Sequence, residues 1–117
     1  MKWLLILFAC AGCKQSSDVP APSGHEVPAI PAIEIKRGQD ACKAYVDKVC
    51  GCAETTPAMK QPCSLARALP EAMQVSLDVA ASADSTRRDV RQANASVRSI
   101  AKKCIEATAR LTAAGCP

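Results

Sequence analysis

Residues 84–115 read DSTRRDVRQANASVRSIAKKCIEATARLTAAG. Apolar or small side chains recur in this stretch at alternating steps of three and four residues, at Val90, Ala93, Val97, Ile100, Cys104, Ala107, Leu111 and Ala114. These steps follow the heptad period of an amphipathic helix, whereas a strand would require a period of two. We therefore predict one long C-terminal helix, about 45 Å in length at roughly 1.5 Å per residue, against which the rest of the chain packs.

Two shorter helices are predicted before it. Residues 40–50 place their apolar side chains on one helical face, and Gly51 is typical of the residue that ends a helix. Residues 62–82 form the second helix, bent or broken near Pro70, because proline lacks the amide hydrogen that a helix interior requires. The short polar turn at 82–85 supplies an N-cap and makes the second and third helices antiparallel. The fold class is therefore an all-α three-helix bundle.

The cysteines are expected to staple this bundle. The chain has 117 residues and eight cysteines, and a core this small often contributes only ~3–5 kcal/mol. Cys63 and Cys104 lie about 20 residues on either side of the turn, which favours a Cys63–Cys104 bridge. The pairing of the others stays open, since six cysteines allow about 15 connectivities. The predicted disulfide cysteines are Cys42, Cys50, Cys52, Cys63, Cys104 and Cys116.

The first residues form an export signal. One lysine, an apolar run and small residues occupy positions 1–12, a pattern typical of a secretory signal peptide. Ala11-Gly12 before Cys13 resembles a bacterial lipobox, which implies a diacylglyceryl group on that thiol and fatty acylation, such as with palmitate, of the new amine. Cys10 competes, because Leu7 stands at the preferred position before it. Modification of Cys13 is favoured because it leaves an even number of cysteines in the mature chain.

Residues 13–38 are predicted to be the lipidated cysteine and a proline-rich linker, followed by a helical, cysteine-rich domain at 39–117. An alternative is that part of the linker is an arm that docks on the helices or on a partner through its isoleucines, Ile30, Ile33 and Ile35. If the lipobox resemblance holds, Lys14 after the cysteine implies sorting to the outer membrane, facing the periplasm or the cell surface.

The long helix also carries a basic stripe roughly opposite its apolar seam. The stripe consists of Arg87, Arg91, Arg98 and Lys102. It is either a solvated outer face or a surface for an anionic envelope component or an acidic protein. The net charge is only +4 and aromatic residues make up 3% of the chain, so the stripe lacks the stacking rings of a nucleic-acid platform.

The sequence predicts a non-catalytic binding or structural module on a membrane anchor, with no cofactor and an oligomeric state left open. The only histidine, His25, lies in the linker, so the domain has no histidine base for a serine or cysteine nucleophile. An alternative function uses Cys50 and Cys52 of the Cys50-Gly51-Cys52 motif as a copper or zinc carrier or as a thiol-redox pair. Disulfides are the favoured interpretation, because an exported protein meets an oxidising compartment.

Overall fold

The computed structural model describes residues 27–116, which form three helices and no strand. The helices are α1 (Ala32–Ala53), α2 (Lys60–Ala81) and α3 (Arg87–Arg110), and a 3₁₀ turn (Pro57–Met59) connects the first two. Each helix packs against both of the others. This architecture, with its disulfides, confirms the predicted stapled all-α bundle, whereas the signal peptide lies outside the described residues.

The contacts along α1 fix the direction of the other helices. Successive positions of α1 meet successive positions of α3, as in the pairs Glu34–Arg98 and Cys42–Cys104. The order along α2 is reversed, because Gly38 lies beside Met73 while Cys50 is bonded to Cys63. The chain therefore runs up, down and up, with α1 and α3 parallel.

The predicted seam of α3 is its buried side: Val97, Cys104 and Leu111 are at most 4% exposed. The helix begins after Thr86, one residue beyond the turn that was expected to cap it. The Thr86 hydroxyl accepts a hydrogen bond from the Asp89 amide, and the Asp89 carboxylate accepts one from the Thr86 amide. This capping box satisfies amide donors that a helix start would otherwise leave unpaired.

α1 is longer at both ends than predicted. It begins at Ala32, because the carbonyl oxygen of Pro31, which has an extended ψ of 139°, accepts the first hydrogen bonds of the helix. Ile30, just before it, is buried in the core. Residues 32–38, predicted as linker, are thus helical. Gly51 does not end the helix, which continues to Ala53; the buried Ala53 side chain and the neighbouring bridge favour helix over the intrinsic cost of glycine.

α2 is continuous from Lys60 to Ala81, close to its predicted bounds, and includes Pro70 on its exposed side without a break. The core that the helices enclose has two clusters, one above the other along the bundle, and Tyr45 packs against both. The first cluster, at the end where α3 begins, contains Ile30, Cys42, Met73, Val97 and Cys104. The second contains Val49, Ala53, Met59, Cys63, Ala66, Leu111 and Cys116.

Candidate functional site

Two disulfides staple the helices, and each has one sulfur on α1. Cys42 is bonded to Cys104 of α3, and Cys50 is bonded to Cys63 of α2. The predicted Cys63–Cys104 bridge is therefore wrong. Cys63 of α2 and Cys104 of α3 each lie on the side of their helix that packs against α1, so they do not face each other.

The error lies in the register that was counted from the turn. Cys104 belongs to the same core cluster as Met73, whereas Cys63 packs in the cluster that holds Leu111. Leu111 lies about two helical turns beyond Cys104, or roughly 10 Å at ~1.5 Å per residue. Equal numbers of residues from a turn place two residues side by side only when both helices start at the same height along the bundle. A shift of about two helical turns between α2 and α3 therefore separates Cys63 from Cys104.

The Cys50-Gly51-Cys52 motif does not act as a pair of thiols, because Cys50 is already bonded to Cys63. The alternative prediction, a copper or zinc carrier or a thiol-redox pair that uses Cys50 and Cys52, is therefore wrong in its residues, because only Cys52 is a free thiol. Within residues 27–116, the two cysteines without a bridge are Cys52, which is partly exposed, and Cys116, which is buried. No group of three or more potential metal-binding side chains occurs in that part of the chain.

The thiols of Cys52 and Cys116 meet at the C-terminal end of α1. Cys116 Sγ donates to the carbonyl oxygen of Lys48 at 3.7 Å, and Cys52 Sγ donates to Thr56 Oγ1 at 3.8 Å. Contact with the Cys52 side chain, together with burial, raises the pKa of the Cys116 thiol above its usual value. The buried Cys116 thiol is therefore protonated at neutral pH.

The four residues of the basic stripe are all exposed on α3, but they differ in their partners. Arg98 donates two hydrogen bonds to the Glu34 carboxylate, at 2.6 and 3.3 Å, and Lys102 lies 3.8 Å from the Glu106 carboxylate. The ion pair lowers the pKa of Glu34 and raises the pKa of Arg98.

In contrast, none of the carboxylates in residues 27–116 lies within 4.0 Å of the Arg87 or Arg91 guanidinium. Arg87 borders a groove that Val27 and the Ser82–Ser85 turn also line. The first described residue therefore reaches the bundle beside the unpaired half of the basic stripe.

The alternative in which the linker isoleucines dock on the helices is partly correct, whereas the favoured spacer does not describe this segment. Ile30 is 7% exposed and belongs to the core, and Ile35 is half-buried against the same cluster. Ile33 points away from the bundle and is 58% exposed. The buried amide of Asn94 donates to the carbonyl oxygen of Pro28 at 3.1 Å and holds the segment on α3. Asn94 is one position from the apolar seam, and nothing in the sequence pattern identified this contact.

A groove of about 540 Å³ lies between α1 and α2 beside the Cys50–Cys63 bridge. Its charged lining residues are two acids and two bases, namely Asp47, Glu54, Lys60 and Arg67. Since the charges balance, the groove selects neither anions nor cations by net charge. Arg87 and Arg91 of α3, which have no carboxylate partner among the described residues, form a surface that selects anions more strongly than this groove does.

No protein-family model, curated protein or solved structure matches the chain. None of the helices in residues 27–116 combines the length and the apolar character that crossing a bilayer requires. The predicted lipidation at Cys13, with Cys10 as its competitor, lies outside the described residues.

Proposed function

We propose that the chain is a lipid-anchored protein of the bacterial envelope whose helical domain is a non-catalytic module that binds anionic membrane headgroups. The observation that carries the proposal is the position of Arg87 and Arg91. They are exposed, they have no carboxylate partner among residues 27–116, and they lie at the end of the bundle that Val27 joins. A lipid on the segment before Val27 therefore presents this end of α3 to the membrane first.

The local charge favours anions at this end. The N-terminal turn of α3 carries a positive partial charge from its backbone dipoles, in addition to the guanidinium groups. Asp89 is the acid nearest in sequence, and its carboxylate accepts hydrogen bonds from the amide and the hydroxyl of Thr86. Those bonds lower the pKa of Asp89, so the carboxylate is ionised at neutral pH and its charge offsets that of one neighbouring arginine. Each arginine or lysine near an anionic leaflet adds about 1 kcal/mol of attraction.

The disulfides support the proposed location. Disulfides such as Cys42–Cys104 and Cys50–Cys63 persist in exported proteins, because the cytosol keeps thiols reduced. An exported chain with a lipobox-like leader is a membrane-anchored protein, and Lys14 favours the outer membrane with the domain in the periplasm or at the cell surface. The anchored module has no need of a cofactor, since headgroup binding uses only charge and hydrogen bonds.

Vesicle sedimentation tests the headgroup interaction. The mature chain is produced with Cys13→Ala, so that no acyl group contributes to binding. It is mixed with phosphatidylcholine vesicles that contain or lack phosphatidylglycerol. We expect binding to the anionic vesicles alone, and we expect the double substitution Arg87→Gln, Arg91→Gln to weaken it roughly 30-fold, because two contributions of about 1 kcal/mol are lost.

The matched control is Lys60→Gln with Arg67→Gln. These residues are exposed on α2 beside the neutral groove, and their replacement lowers the net charge by the same amount. Binding of this control should remain close to that of the parent. Equal weakening of both double variants would show that only net charge matters, and would contradict a headgroup site on α3.

A further inference from the structure

Residues 111–116 are held in a defined turn that places Cys116. Beyond α3, the amide of Cys116 donates a hydrogen bond to the carbonyl oxygen of Leu111 at 2.9 Å. The amide of Gly115 donates one to the carbonyl oxygen of Thr112 at 3.2 Å. Gly115 has φ +91°, a left-handed conformation that glycine adopts without steric cost. These two bonds and the glycine define a Schellman motif, in which the residue after the glycine turns back against the helix.

This motif directs Cys116 inwards. Its side chain is 1% exposed and packs in the same cluster as Leu111, which is the hydrophobic contact that accompanies such caps. The Cys116 thiol contacts the Lys48 carbonyl, one helical turn before Cys52 on α1, and Cys52 packs against the same cluster. Two cysteines far apart in sequence thus meet in the folded domain, one of them on a preorganised turn.

We propose that Cys52 and Cys116 are joined in the exported protein as a third disulfide, which ties the C-terminal turn to α1. The bond forms by thiol–disulfide exchange with a dithiol–disulfide oxidoreductase of the exporting compartment. This inference rests on the proposed export of the chain but not on the proposed headgroup binding, since it concerns the opposite end of the bundle.

The exposure of the two sulfurs sets the order of the exchange. The Cys52 thiolate, which is partly exposed, attacks the disulfide of the oxidoreductase, forms a mixed disulfide and releases one thiolate of the donor. The Cys116 sulfur then loses its proton and attacks the Cys52 sulfur, which expels the second donor thiolate. The two protein thiols are oxidised to one cystine, the donor disulfide is reduced to two thiols, and the two protons pass to the donor sulfurs.

Peptide mapping of the full chain tests the proposal. The protein is isolated from the envelope without reductant, and free thiols are alkylated at lysis. Trypsin cuts after lysine and arginine, so Cys50 and Cys52 share the peptide 49–60, Cys63 lies in 61–67 and Cys116 in 111–117. We expect one three-peptide species that contains all of these, with no alkylated cysteine. Fragmentation at Gly51 should assign Cys63 to Cys50 and Cys116 to Cys52.

The substitution Cys52→Ser is the control for connectivity. It should convert the three-peptide species into the 49–60 and 61–67 pair, and leave Cys116 as a single thiol that is alkylated only after unfolding. A parent protein in which Cys52 and Cys116 are both alkylated at lysis would overturn the proposal. Retention of a stoichiometric metal ion by these two sulfurs would overturn it equally.

Discussion

The two disulfides that the structure contains should differ in their contribution to stability. The sequence separation is 62 residues for Cys42–Cys104 and 13 residues for Cys50–Cys63. In the chain-entropy treatment, a loop of the first length destabilises the unfolded state by about 4.3 kcal/mol and one of the second length by about 2.9 kcal/mol. The longer loop should therefore contribute about 1.4 kcal/mol more.

Burial acts in the same direction. Cys42 and Cys104 are 0% exposed, so replacing them with alanine also leaves a void in the core. Cys50 is partly exposed, and its replacement leaves less unfilled volume. The pair Cys42→Ala, Cys104→Ala should thus lose more stability than the pair Cys50→Ala, Cys63→Ala.

Urea unfolding measures the difference. Both double variants are made in the mature chain with Cys13→Ala, Cys52→Ser and Cys116→Ser, so that no other thiol forms or exchanges a bond. At an m-value of about 1 kcal/mol/M, the two midpoints should lie about 1 M or more apart. If the variant without Cys50–Cys63 is the less stable one, neither loop length nor burial controls the effect, and the reasoning fails.

Three further outcomes are expected. Ile30→Ala should cost about 2–4 kcal/mol in urea unfolding because its side chain is in the core, whereas the exposed Ile33→Ala should change little; equal effects would refute the docking. The ion pair with α3 lowers the pKa of Glu34, so its stabilisation is complete above the usual value of 4.5 and is lost as pH falls through the lower folded pKa. Stability measured against pH should accordingly fall less steeply in Glu34→Gln, and an unchanged slope would contradict the contact. At Gly38 a Cβ would lie 3.0 Å from Ala101 Cβ, so Gly38→Ala should destabilise despite its better helix propensity. In a double-mutant cycle its cost should shrink when Ala101 is glycine, and strict additivity would argue against the clash.

The heptad spacing of α3 was a reliable guide, because one long period identifies both the helix and its buried face. α1 was predicted too short because Pro28 and Pro31 are typical of an extended spacer in isolation. Only the burial of Ile30 against the other helices shows that the helix begins directly after them. A local pattern carries no information about such a distant contact.

The candidate site was predictable only as a set of residue types. The basic stripe follows from helical geometry, but the Glu34 partner that neutralises Arg98 is 64 positions away. The pairing of the cysteines depends on the rotation of each helix about its axis and on the register between helices, and a sequence count defines neither. Gly115 was the available signal for Cys116, since a glycine before the last cysteine is typical of a Schellman turn.

The Cys42–Cys104 bridge also determines how the domain bears mechanical load. Tension between an anchor at the N-terminal end and a ligand held at Arg91 passes along residues 27–42, crosses the covalent bond and returns down α3. The longer path through α2 stays slack, so α2 and the Cys50–Cys63 bridge bear none of the force. Extension stops after roughly 95 Å, the contour length of about 28 residues in segments 27–42 and 91–104, and the domain then behaves as an inextensible link.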